Sequence, residues 1–394
     1  MKIVINELKK IFNFKAIIFL IVITIVMYNL YIIPSDSLKS GTDFINNIHI
    51  QMVKKYGNSM DKDEYKDFLD TYKKKVKIAD EYINNNEKFT NLGIYNYEEY
   101  NKIARNDGEA KYQNEKLHDL YYEYFYSEDI TIFRELDEME NIKITYESNI
   151  LEPFTPIYSD NKKAVDRHIE IKKNEEIQSL LPYTIFETYE NQFKTLSILI
   201  FISIVFLISP IYLGDRLKNI DYLQYSSKKG RKIFKSKILA SVLSSIIVVS
   251  VNLLIFFKFY LSDVTKVFLD CGISGYYNSP IRSWYDLTLF EYILISAILV
   301  YILSIVVSLL SFYISSKVNN YISLVGIQLP ILVIINLFLL KYILNNATSM
   351  YIQVSGFNYI TTWKYYIHMI YGIFIILSLI MIIKRYKLER KIDI

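Results

Sequence analysis

Cysteine is nearly absent from this chain. The single Cys271 excludes an intramolecular disulfide and, with it, zinc sites of the cysteine-rich type. Histidine is scarce too: His49, His118 and His368 stand alone, and His168-Ile169-Glu170 has the wrong spacing for two metal ligands on one helix turn. There is no H-E-x-x-H, no G-x-S-x-G elbow and no G-x-x-x-x-G-K-[ST] phosphate loop. A chain without these motifs is expected not to be an enzyme and to carry no cofactor of its own.

Charge is also missing, but only locally. Several stretches without Asp, Glu, Lys or Arg are long enough to cross a hydrocarbon core of about 30 Å, which takes roughly 20 apolar residues. The polar content of these stretches includes Asn29, Ser203, Ser209, Pro210, Ser244, Ser245, Asn252, Ser304, Ser308, Gln328, Pro330, Asn336 and His368. Intramembrane carboxylates normally mark proton or sodium pathways, so their absence argues against an ion-coupled carrier. Ser304, Ser308 and Ser311 share one helix face, where small side chains permit close helix packing. Asn252, Ser304, Ser308, Gln328 and Asn336 are the candidate lining of a translocation path, with Gln328 and Pro330 marking a local break.

Where charge is present it is strongly partitioned. Residues 34–194 hold 22 basic and 32 acidic side chains, so the overall +4 hides an acidic middle of −10 and a remainder of +14. The basic remainder flanks the apolar stretches, which makes lipid headgroups and an acidic protein the expected partners rather than nucleic acid. Segment 214–237 is the most basic. It carries Arg216, Lys218, Lys228, Lys229, Arg231, Lys232, Lys235 and Lys237 against Asp215 and Asp221, and the positive-inside rule puts it in the cytoplasm. Tyr222, Leu223 and Tyr225 lead into the helix-start signal Ser226-Ser227, then Lys228, Lys229, Gly230 and Arg231, then Ile233 and Phe234.

That orientation organises the rest. Residues 1–15 read as an amphipathic helix on the inner leaflet, with Glu7, Lys9 and Lys10 set against Leu8 and Phe12. A signal peptide is disfavoured, because the run 16–33 is long and Pro34-Ser35-Asp36 lacks a small-x-small cleavage pattern. Spans are expected at 16–33, 195–213, 238–257, 289–314, 321–340 and 365–383, with a cytoplasmic tail at 384–394. Outer loops are expected at 258–288 and 341–364, where Lys341 and Lys364 snorkel from helix ends. The expected fold class is membrane all-α, with six transmembrane helices, both termini cytoplasmic, and a large extracytoplasmic domain at 34–194. Helical spacing in Tyr65, Phe68, Leu69, Tyr72 and Val76, and in Leu117, Leu120, Tyr121 and Tyr124, makes that domain mainly helical. Residues 142–146 read as strand-like, and 177–193 as an amphipathic piece leading into the second span.

Together, the N-E-L-K-K-I-F start, the Gly214-Asp215-Arg216 step and the run from Tyr225 through Arg231 to Lys237-Ile238 resemble permease subunits of ABC-2 type transporters from low-GC bacteria. Relatives often carry Glu where Asp215 stands. The resemblance implies a multi-pass protein of the bacterial plasma membrane that exports an amphipathic or hydrophobic substrate such as a peptide, antibiotic or lipid-like molecule. It further implies a cytoplasmic ATPase dimer, which would hold the ATP and magnesium, and a second permease subunit, identical or related. The N-terminal helix (Glu7, Leu8, Lys9, Lys10, Phe12) would be an interface helix. Tyr222, Leu223, Tyr225, Ser226, Ser227, Lys228, Lys229, Gly230, Arg231 and Phe234 would form the coupling helix. The alternative is a receptor or sensor whose outer domain binds a peptide or antibiotic and signals to a cytoplasmic partner.

Overall fold

The computed structural model describes residues 2–33, 43–105, 115–125, 127, 130–151, 161–174, 178–220, 233–275, 282–336, 340–355 and 358–389. Two compact units divide the chain. One comprises Met1–Ser37, Glu187–Lys266 and Ser283–Ile394, and the other Leu38–Phe186 and Val267–Arg282.

Among the described residues, five helices are long and apolar enough to cross a membrane: Phe14–Ile32, Tyr183–Leu217, Ile233–Tyr260, Leu289–Lys317 and Tyr366–Glu389. These are the membrane-like part of the fold. The first ends in a π-helical turn, Tyr28–Ile32. The second is interrupted at Ser209, because Pro210 has no N–H to continue the ladder and instead starts the short helix Pro210–Leu217. That helix stops at Asn219, whose φ of 55° is a left-handed conformation that asparagine tolerates. Thr288 and Glu291 form a capping box that starts the fourth helix.

Several expected boundaries shift. The amphipathic piece at 177–193 and the span at 195–213 are not separate, since one helix runs over Tyr183–Ile208. The third apolar helix begins at Ile233, so Lys237 lies within a helix rather than at the end of a loop. The span expected at 321–340 is represented by the shorter apolar helix Tyr321–Ile334 with Pro330 inside it, followed by a π-helical turn at Lys341–Asn345. The chain is predominantly helical, consistent with a membrane all-α fold, and carries in addition an antiparallel hairpin, Tyr351–Ser355 with Asn358–Thr361, in register Tyr351 to Thr361 and Ile352 to Ile360. The hairpin is anchored by Trp284, whose indole N–H donates to Thr362 Oγ1 at 2.7 Å and whose backbone N–H donates to Thr348 O at 2.9 Å.

The second unit is helical among its described residues, with Asp43–Tyr56, Lys62–Asn84 and Ile132–Leu151 its longer elements. Asp61 and Glu64 build the capping box of the second of these, and Gly57, at φ 86°, ends the first. Phe68, 2% exposed, packs with Met52, Met60, Met139, Ile142 and Tyr146. Leu120 and Tyr124 join a second cluster with Phe89, Tyr100 and Phe133. The tyrosine-rich stripes therefore form core. Residues 142–146 are helical, not strand: Met139, Ile142 and Tyr146 recur at helical spacing on the buried side, while Ile144 is left exposed.

Two buried polar groups cross this core. His49 Nδ1 lies 2.9 Å from Leu180 O, and its Nε2 lies 2.9 Å from Glu138 Oε1. A ring nitrogen facing a carbonyl must carry the proton. The second proton is then held between Nε2 and the carboxyl, so the pair is neutral overall wherever that proton sits.

Candidate functional site

The site is built where the N-terminal helix Lys2–Ile11 packs against the third apolar helix and the short helix Pro210–Leu217. The basic residues of 214–237 need counterions wherever the chain buries them. Lys237 Nζ, 1% exposed, donates to Asp215 Oδ2 at 2.7 Å and to Ile211 O at 3.2 Å, with the Tyr212 ring centroid 4.3 Å away. Lys10 Nζ reaches Asp215 at 3.4 Å and Glu7 Oε1 at 3.0 Å. Burial pulls the Lys10 ammonium down, but hydrogen bonds and charge from Glu7 and Asp215 outweigh it and hold Lys10 above the usual lysine value. One carboxylate thus ties the N-terminal helix to the end of the second apolar helix and the start of the third.

Next to this cluster sit two guanidinium groups. Arg216 donates to Val318 O at 2.7 Å, Asn319 Oδ1 at 2.8 Å and Ser316 O at 3.2 Å. Arg385 donates to Ser316 Oγ at 3.0 Å and Ser316 O at 3.1 Å. Cations on the last carbonyls of the helix Leu289–Lys317 satisfy groups without intrahelical partners and oppose the negative end of its dipole. Ser315 Oγ, in turn, donates to Ser209 O at 2.6 Å, across the proline interruption.

Of the residues predicted for the interface helix, Glu7 is buried, Leu8 and Phe12 are half-buried, and Lys9 and Lys10 are exposed, Lys10 with its ammonium turned to Glu7 and Asp215. Tyr222, Leu223, Tyr225, Ser226, Ser227, Lys228, Lys229, Gly230 and Arg231 lie outside the described residues. Phe234 belongs to the third apolar helix and is 4% exposed, ringed by Tyr212, Phe312 and Tyr386 at centroid distances of 6.0, 5.4 and 5.6 Å.

The five candidate path residues lie in different surroundings. Ser304 and Ser308 are buried on the fourth apolar helix, and the third, which packs against it, buries Ser241, Ser244 and Ser245. Gln328 is buried and accepts from Ser209 Oγ; Asn336 is half-buried. Asn252 borders a cavity of about 530 Å³ lined mainly by the first and third apolar helices.

Comparison with protein-family models, with curated proteins and with solved structures returns no match for this chain. Sequence reasoning missed Arg385 and Ser316. The tail was read only as cytoplasmic charge, and no local pattern signals that Arg385 caps another helix 69 residues away.

Proposed function

We propose that this chain is the membrane-spanning permease subunit of an ATP-binding-cassette exporter, driven by a separate ATPase. In this reading six spans with both ends in the cytoplasm carry an extracytoplasmic domain in a bacterial plasma membrane. Two ATPase subunits, holding ATP and magnesium, pull on the basic segment between the second and third apolar helices. A second permease, identical or related, completes the path for an amphipathic peptide, antibiotic or lipid-like substrate.

The observation that carries the reading is the Lys10–Asp215–Lys237 bridge. It links the N-terminal helix to both helix ends that bound the basic segment, so a displacement applied there is passed to two apolar helices and not absorbed by a loop. Neutralising Lys228, Lys229 and Arg231 together should release an ATPase that co-purifies with the chain from native membranes. Unchanged co-purification and unchanged export would refute the proposal.

A sensor reading draws on a different observation. In the second unit a cavity of about 410 Å³ has Met52, Phe68 and Met139 at its base and the Lys75–Glu135 ion pair in its wall, a mixed lining suited to a small ligand. Loss of signalling with intact export on blocking that cavity would favour it.

A further inference from the structure

The fifth apolar helix, Tyr366–Glu389, is long and apolar enough to cross a membrane, and its two faces differ. Ile367, Tyr371, Ser378 and Ile382 are buried, whereas Met369, Ile373, Ile376, Ile380 and Ile383 are exposed at alternating steps of four and three residues. An uncharged aliphatic stripe on such a helix meets acyl chains. Just before the helix the composition changes. Tyr365, four residues ahead of Met369, is 64% exposed and Trp363 is 68% exposed, with the exposed Lys364 between them. Amphipathic rings beside a cation are the residue types that settle at headgroup level, where the ring body is shielded and its N–H or O–H stays wet.

The backbone that carries these rings is held on both sides. Thr362 N donates to Met350 O at 2.8 Å, and Thr362 Oγ1 donates to Ser349 O at 2.7 Å while accepting from Trp284 Nε1. Tyr285 Oη donates to Lys364 O at 2.6 Å, and Tyr366 N donates to Trp363 O at 3.0 Å. Trp363 and Tyr365 are thus displayed by a bonded scaffold rather than by a loose loop.

We infer that Trp363 and Tyr365 form a contact with the phospholipid headgroup layer that fixes the depth of the fifth apolar helix in the bilayer. The inference depends neither on ATPase coupling nor on which side of the membrane that end faces. The occupant is lipid because the exposed stripe continues from Tyr365 through Met369 to Ile383 without a charge, so the rings cap a face that acyl chains already cover.

The test uses the full chain in phosphatidylcholine vesicles and reads tryptophan fluorescence. The chain has only two tryptophans, and Trp284 is 5% exposed, so subtracting the W363F spectrum isolates the Trp363 signal. Lipid brominated at the sixth and seventh acyl carbons should quench that signal at least about twofold more than lipid brominated at the eleventh and twelfth, as expected for a ring at the interface. Aqueous iodide should quench it weakly. Equal or stronger quenching by the deeper bromines would place the ring among acyl chains. Strong iodide quenching without quenching by either lipid would place it in water. Quenching by none of the three would mean that protein covers it, a second copy or another partner. Each of these last three results overturns the inference.

Discussion

Asp215 Oδ2 sits 2.7 Å from Lys237 Nζ, joining the two ends of the basic segment by a pair of which the lysine is 1% exposed. A buried ion pair contributes little against an apolar pair of similar volume, yet removing one partner strands the other. The consequence is a specific order of stabilities.

D215N should destabilise the purified full chain most, by about 3–5 kcal/mol, because buried Lys237 loses its carboxylate counterion. K237M should cost less, since Lys10 still reaches Asp215. The double change D215L with K237M should return to within about 1–2 kcal/mol of the parent. Denaturant unfolding in detergent reads all three, and a double variant no better than D215N would show that the pair's geometry, not its charge, holds the helices together.

The His49–Glu138 pair allows a sharper comparison. E138Q keeps both hydrogen bonds, with the introduced side-chain amide donating to Nε2 of a neutral ring and Nδ1–H still donating to Leu180 O, so a loss below about 1 kcal/mol is expected. H49A instead leaves a carboxyl and a carbonyl buried without their donor, for about 3 kcal/mol or more. Unfolding midpoints of the two variants should therefore separate widely, and equal losses would contradict the shared-proton arrangement.

Much of the membrane-like character was legible in the sequence because a run of about 20 apolar residues without charge has few alternatives to an apolar helix. Lys237 was not legible as buried. A lysine preceding such a run ordinarily marks solvent, and only the partner 22 residues earlier makes its burial tolerable. The hairpin at 351–361 escaped for a related reason: a two-stranded ribbon is stabilised by what anchors it, and here the anchor is Trp284, distant in sequence. Residues 142–146 misled because alternation over five positions fits either period, and the deciding neighbour, Met139, lies outside that window. Of the candidate site, Glu7, Lys10, Asp215 and Lys237 were all visible as charges, but their convergence was not.

Cys271 should be chemically silent in the native chain. It is fully buried, and burial, with the Asp270 charge nearby, pushes its thiol up to about 12, so little thiolate exists at neutral pH. A maleimide should label it only after unfolding. Rapid labelling of the native protein at pH 7 would show that the region around Cys271 opens readily.

His168 gives the second unit a pH dependence of predictable sign. Burial, with Arg282 and Arg167 adding positive charge, pushes it down to about 4, against about 6.5 in an unfolded chain. Between those values the unfolded state binds the proton and the folded state does not, so stability is lost as pH falls from about 6.5 towards 4 and is complete above that window. The full effect is on the order of 2–3 kcal/mol, with partial exposure reducing it. H168Q, which cannot titrate, should flatten that part of the pH–stability profile while leaving the pH 8 value within about 1 kcal/mol. A variant whose profile still fell as steeply between pH 6.5 and 4 would refute the assignment to His168, since carboxylates such as Asp63 and Asp67, which Lys66 and Lys55 hold below their usual range, lose their contribution only at lower pH.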